Sequence, residues 1–230
     1  MCVHLALGMP MAVYLGAARA GKTRLLALAY LPVAVSGIAL SGSRTGLVTG
    51  VVAVAAVAVW LVGRSRLGLA LIGALIAGGV AFAQVVVPAE TWSRTVTLEF
   101  DAGGLGGRAE LWMEGLEHFA EHPLVGVGAS GYDVVVIPEL HVGLVAHSTP
   151  LSIAVELGLV GLLLFYGGVA LALRDALRSA ADHRALAWAL IATWMTGSLA
   201  LMWEIRKPTW LVMLIAMVVA AMPTRAESRR

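Results

Sequence analysis

The side chains able to do chemistry are few, and most lie between Ala89 and Val160. Arg108, Tyr132, Asp133, His147 and Glu156 stand there, while Arg44 and Arg206 each sit at the edge of an apolar run. A guanidinium grips phosphate oxygens with two parallel hydrogen bonds and keeps its charge beside a low-dielectric boundary. A neutral imidazole can take the proton of an attacking hydroxyl. Arginines and a histidine on one face of a membrane can therefore hold an anion and move a proton. The same residues also fit plainer duties: Arg44 and Arg206 as snorkelling side chains, His147 as a polar anchor. Glu156 falls about two and a half turns into an apolar run, where a charge is costly, so it is expected to pair with an outer Arg or clamp a helix. Tyr132 and Asp133 are candidates for lining the substrate path.

Two other patterns carry less. His118 and His122 lie four apart with Glu114 and Glu121 nearby, but HFAEH is not HExxH and spacing fixes no third ligand, so no metal is expected. Gly126, Gly128 and Gly131 match a dinucleotide fingerprint in spacing alone, with no strand before them and no alternating strand–helix unit around them.

The rest of the chain must position these groups. With 60% apolar residues, 13% charged and a mean hydropathy of +0.88, it holds more apolar surface than one soluble core could hide, so it belongs in a membrane. The single cysteine, Cys2, excludes an internal disulfide and any CxxC metal site. Runs approaching the ~20 residues a spanning helix needs occur at Val3–Ala18, Leu25–Leu40, Thr45–Gly63, Leu67–Val87, Thr149–Leu173, Ala185–Trp203 and Thr209–Met222. The expected fold is an all-α polytopic bundle of about seven spans, one membrane domain over 1–230. Residues 88–147 form an external loop within it.

Basic residues orient the bundle. RAGKTR (Arg19 to Arg24), RSR (Arg64 to Arg66), the Arg174 to Arg184 connection and the RAESRR tail fall on one side of seven spans, which the positive-inside rule makes cytoplasmic. The long loop, SGSR (Ser41 to Arg44) and EIRKP (Glu204 to Pro208) are then outside. The first residue is outside too, without a leader that reads as a signal peptide, which suggests further spans upstream. Within the loop, Gly103, Gly104, Gly106 and Gly107 lead into a helix expected over Arg108 to Glu121. Glu110, Glu114, Glu117 and Glu121 form one stripe of it and Trp112, Leu116 and Phe119 the other, until Pro123 ends it.

GGRAELW (Gly106 to Trp112), HPLVGVGASGY (His122 to Tyr132) and AHSTPLSIAVELGLVG (Ala146 to Gly161), with SGSRTG upstream, together resemble the O-antigen ligase and O-antigen polymerase superfamily of bacterial membrane glycosyltransferases. The resemblance covers Ser41 to Leu173 and departs at Ser148, where that superfamily often has Asn. It implies a bundle of the GT-C type in the bacterial cytoplasmic membrane, active on the outer face. It implies a polyprenyl diphosphate-linked glycan as donor, a glycan, glycolipid or protein as acceptor, membrane lipid as surroundings, no cofactor and no nucleic acid. On it, Arg44 and Arg108 hold the diphosphate, Arg206 is a third candidate by topology, and His147 activates the acceptor. The alternatives are a polymerase of the same superfamily, a transporter or flippase without covalent chemistry, and a truncated remnant.

Overall fold

The computed structural model describes residues 2–62, 65–91, 108–140, 147–204 and 206–222, and every regular element among them is a helix. These are α1 (Cys2–Ala18), α2 (Gly21–Leu40), α3 (Arg44–Leu61), α4 (Arg66–Val86), α5 (Arg108–Glu121), α6 (Tyr132–Leu140), α7 (Thr149–Leu177), α8 (Ala181–Ser198) and α9 (Lys207–Ala221). The glycine lead-in to α5, the segment 141–146, Arg64, the RAESRR tail and the side chain of Arg108 lie outside the described residues.

The fold is the expected helical membrane bundle. Four helices, α2, α3, α4 and α7, are long and apolar enough to cross a membrane, while α1 and the apolar part of α9 are shorter. The sixth expected span, α8, falls short because Asp182, His183 and Arg184 occupy its first turn and Thr193, Thr196 and Ser198 interrupt its apolar character. Local chemistry sets the boundaries. The side chain of Ser43 caps α3 by accepting from the Gly46 amide at 3.1 Å, and Ser65 caps α4 through the Gly68 amide at 2.9 Å.

The chain forms two compact units. In the first, α2 packs on α1, α3 and α4 around Met9, Val13, Leu31, Ile38, Val57 and Ile72. One end of this unit carries an aromatic cluster: Tyr14 stacks on Trp60 with ring centroids 6.0 Å apart and meets His183 at 6.1 Å, while Trp60 Nε1 donates to Asp182 Oδ1 at 3.4 Å. The end of α1, the end of α3 and the start of α8 therefore meet there. Arg19 to Arg24, Arg66 and Arg174 to Arg184 share that end, and Arg44, at the opposite end of α3, does not.

The second unit contains α5, α6, most of α7 and the 198–211 segment. Its interior is Leu111, Tyr132, Val136 and Val155, with Trp112, Phe119 and Leu151 against them. Full burial of each such aliphatic side chain contributes about 1.5–3 kcal/mol. The helix over Arg108 to Glu121 forms with the expected boundaries, but its anchor is Leu111, and Leu116 is 56% exposed. The reason is where α6 lies: Tyr132 packs on the Leu111 and Gly115 side of α5, one helical position away from the stripe that the sequence favours.

Candidate functional site

Two of the motifs turn out to be halves of one structure. α7 is broken at Gly158, whose φ of 63° and ψ of −159° lie outside helical space. A break frees backbone groups that must find partners when buried. The HPLVGVG segment supplies them. Leu159 and Val160 donate to the carbonyls of Pro123 (2.8 Å) and Leu124 (3.1 Å), and Val127 and Gly128 donate to the carbonyls of Val155 (2.9 Å) and Glu156 (2.9 Å). The fit is close enough to dictate residue type. A Cβ on Gly158 would lie 2.4 Å from the Leu124 carbonyl carbon and oxygen, and one on Gly126 would lie 2.4 Å from Val155 O.

The break also relocates Glu156. The limb from Leu159 to Leu177 rises roughly 28 Å at 1.5 Å per residue, nearly the thickness of a hydrocarbon core. Glu156 precedes that limb, so it belongs to the shorter segment before the break rather than to the interior of one continuous span. Its carboxylate accepts hydrogen bonds from the backbone amides of Ser130 and Tyr132, closing the N-terminal end of α6, where unsatisfied amides and the helix dipole favour a negative group. Asp133, exposed on the first turn of α6, is electrostatically coupled to Glu156.

Tyr132 is fully buried and donates to the Leu111 carbonyl at 2.8 Å, tying α6 to α5. Burial, with Asp133 and Glu114 close by, pushes its phenol up to about 12. A raised pKa means the neutral phenol stabilises the fold fully below about pH 10 and that the contribution fades as pH rises through 12. Tyr132→Phe is expected to cost about 0.5–1.5 kcal/mol at neutral pH and to flatten the alkaline arm of the stability curve between pH 10 and 12. Thermal unfolding across that range checks it.

His147 stands immediately before α7 with φ of 49°, in the left-handed region. Outside glycine that region is sparsely used, although His and Asn enter it more readily than most, and holding it costs on the order of 1–3 kcal/mol. The next residue caps the helix: Ser148 Oγ accepts from the Leu151 amide at 3.5 Å and its carbonyl from the Ser152 amide at 3.0 Å. Ser and Asn cap about equally well, so the departure from the superfamily's Asn preserves the cap. Pro150 lies in the first turn, where no amide is needed.

The start of α7 is stapled to the segment before α9. Buried Thr149 donates to the Leu201 carbonyl at 2.6 Å and accepts from the Trp203 amide at 2.7 Å, and Ser152 donates to Glu204 Oε1 at 2.9 Å. The backbone of Arg206 continues this segment, with its amide on the Trp203 carbonyl at 3.1 Å, and its side chain is exposed. His147 and Arg206 therefore belong to segments joined through Thr149. Glu204 is a site neighbour the sequence reading passed over. Its Oε2 is buried without a hydrogen-bond partner among the described residues, and it is electrostatically coupled to Glu156.

Glu156, Tyr132, Asp133, His147 and Arg206 thus lie in the second unit, with Arg108 opening its α5. Arg44 belongs to the first unit, exposed on the first turn of α3 beside the Ser43 cap. His118, on the inner side of α5, lies 3.6 Å from Glu114 and 3.5 Å from Glu121. No group of three or more His, Cys, Asp or Glu side chains among the described residues is arranged to hold a metal ion.

No curated protein matches the chain in a sequence comparison. A family model described as O-antigen ligase matches residues 6–166. That match takes in Arg44 and its capped turn, α5, the HPLVGVG segment, His147 and the Gly158 break, and stops before Glu204 and Arg206. Covering well over half of the sequence and every element of the interlock, it establishes that the chain belongs to the O-antigen ligase family.

Proposed function

We propose that the chain transfers a glycan from a polyprenyl diphosphate to an acceptor hydroxyl outside the cytoplasmic membrane. The acceptor oxygen bonds to the anomeric carbon while the bond from that carbon to the diphosphate oxygen breaks. The hydroxyl proton passes to the His147 imidazole, and the electron pair of the broken bond leaves with the diphosphate. Arg108 and Arg44 hold that charge, with Arg206 as a third cation. Glu156 and Tyr132 position the surrounding loop, and Asp133 stands beside them at the start of α6.

The observation that carries this reading is His147, kept on a strained left-handed backbone directly before a capped helix. Strain of this kind persists only where surrounding structure enforces it, and it clusters at functional positions. Family membership supports the reaction class. The gathering of basic connections at one end of the first unit supports an orientation with Arg44 on the outer face.

Arg108→Ala in purified protein is expected to lower transfer from a polyprenyl diphosphate glycan by about two orders of magnitude, the scale of losing a charge-stabilising contact in a reacting site. Arg108→Lys should retain part of the rate, since it restores the charge without the two-pronged geometry. Full activity in Arg108→Ala would remove Arg108 from the mechanism.

A further inference from the structure

The basic end of the first unit carries a second feature, which the transfer chemistry does not use. A cleft of about 790 Å³ lies between α3 and α8. Ala56 and Trp60 form its α3 wall, and an alanine stripe from Ala181 to Ala192 forms the α8 wall, together with Trp188 and Arg184. From Ala181 to Ala192 the helix rises roughly 16 Å, about half of a ~30 Å hydrocarbon core and so the depth of one leaflet.

Charge in the cleft is confined to its mouth, where Arg184 is the one charged lining residue among those described. The nearby carboxylates are already engaged: Asp182 accepts from Trp60 Nε1 at 3.4 Å, and Asp175 pairs with Arg174 at 3.2 Å. Among the described residues the Arg184 guanidinium makes one long bond, to the Leu177 carbonyl at 3.5 Å. The cleft thus offers a cation over an apolar slot one leaflet deep, with Trp60 at the level of the basic connections.

We propose that this cleft binds an anionic phospholipid of the leaflet on the basic side. One acyl chain lies along the alanine stripe, and the phosphate meets Arg184. A zwitterionic lipid offers the same chain but a headgroup without net negative charge, so the headgroup charge selects between them.

The test is the thermal unfolding midpoint of the full chain in detergent, titrated with phosphatidylglycerol, with phosphatidylcholine of the same acyl chains, or with inorganic phosphate. A ligand bound only by the folded protein raises the midpoint. Phosphatidylglycerol should act at concentrations about fivefold lower than phosphatidylcholine, the effect of one Arg near the surface, and inorganic phosphate should have no effect. Arg184→Gln, an exposed change, should bring phosphatidylglycerol to the level of phosphatidylcholine. Ala185→Phe, which fills the slot and keeps the charge, should abolish both shifts. Equal response to the two lipids, or an unchanged preference in Arg184→Gln, overturns the proposal. So does slow thiol labelling at Ala185→Cys in lipid-free protein, which would mean that another protein surface covers the cleft. That labelling decides the matter even where Ala185→Phe fails to fold.

Discussion

Replacing Gly158 by alanine is expected to remove most of the folded protein, whereas Gly73→Ala and Gly167→Ala leave it intact or slightly stabilised. The backbone at Gly158, with φ of 63° and ψ of −159°, lies in a region that is essentially glycine's alone and costs other residues about 1–3 kcal/mol. A Cβ there would also sit 2.4 Å from the Leu124 carbonyl and 2.6 Å from the Val125 nitrogen, main-chain atoms that cannot swing aside. Moving them breaks the hydrogen bonds that join Pro123–Gly128 to α7, each contributing about 0.5–1.5 kcal/mol. The combined loss of several kcal/mol is comparable with the roughly 5–15 kcal/mol that holds a typical domain together. Gly126→Ala should behave alike, since its φ is 67° and its Cβ would meet Val155 O. By contrast, a Cβ at Gly73 or Gly167 meets nothing within 4 Å, and in a helix alanine gains up to about 1 kcal/mol over glycine. Size-exclusion profiles and unfolding midpoints of the four variants decide it. A Gly158→Ala protein as stable as wild type would show that the interlock is not what holds the second unit.

The second large effect is on rate. His147→Asn is expected to lower transfer by about 10² to 10⁴-fold, the usual contribution of a positioned general base, with little change in unfolding midpoint. Asparagine tolerates the left-handed backbone that His147 adopts, so the cap at Ser148 and the Thr149 staple survive the change. It cannot take a proton, however. A base that must be neutral to act gives the wild-type rate an acidic limb, and that limb should vanish in His147→Asn. The acceptor-dependent rate measured against pH, for both proteins at matched folding, separates this from a positional role. An unchanged rate in a folded His147→Asn removes the base assignment.

Much of this architecture was legible because hydropathy and punctuation act locally. The ends of α1 to α4 lie within a few residues of where the apolar runs start and stop, and α5 begins and ends where its acidic stripe and Pro123 place it. α6 was not legible. Its run of Val134, Val135, Val136 and Ile137 followed by Pro138 disfavours a helix locally, and the burial of Tyr132 and Val136 against α5 overrides that preference. The break at Gly158 was equally hidden, because Thr149 to Leu173 reads as one apolar run and nothing local sets Gly158 apart from Gly161, Gly167 and Gly168 within it. Only its backbone pairing with Pro123 to Gly128, distant in sequence, reveals why Gly126 and Gly158 are glycines. Glu156 shows the consequence for the site. Counted along an unbroken helix it is buried in the membrane, whereas the break sets it before the long limb of α7 with two amides on its carboxylate.

The most direct test of the central claim is turnover by the wild-type chain itself, in nanodiscs loaded with a labelled polyprenyl diphosphate glycan and offered glycolipid, glycan and protein acceptors in turn. The reading predicts that labelled glycan appears on one of these acceptors together with an equal amount of free polyprenyl diphosphate. A folded protein that releases no polyprenyl diphosphate with any acceptor class would contradict it.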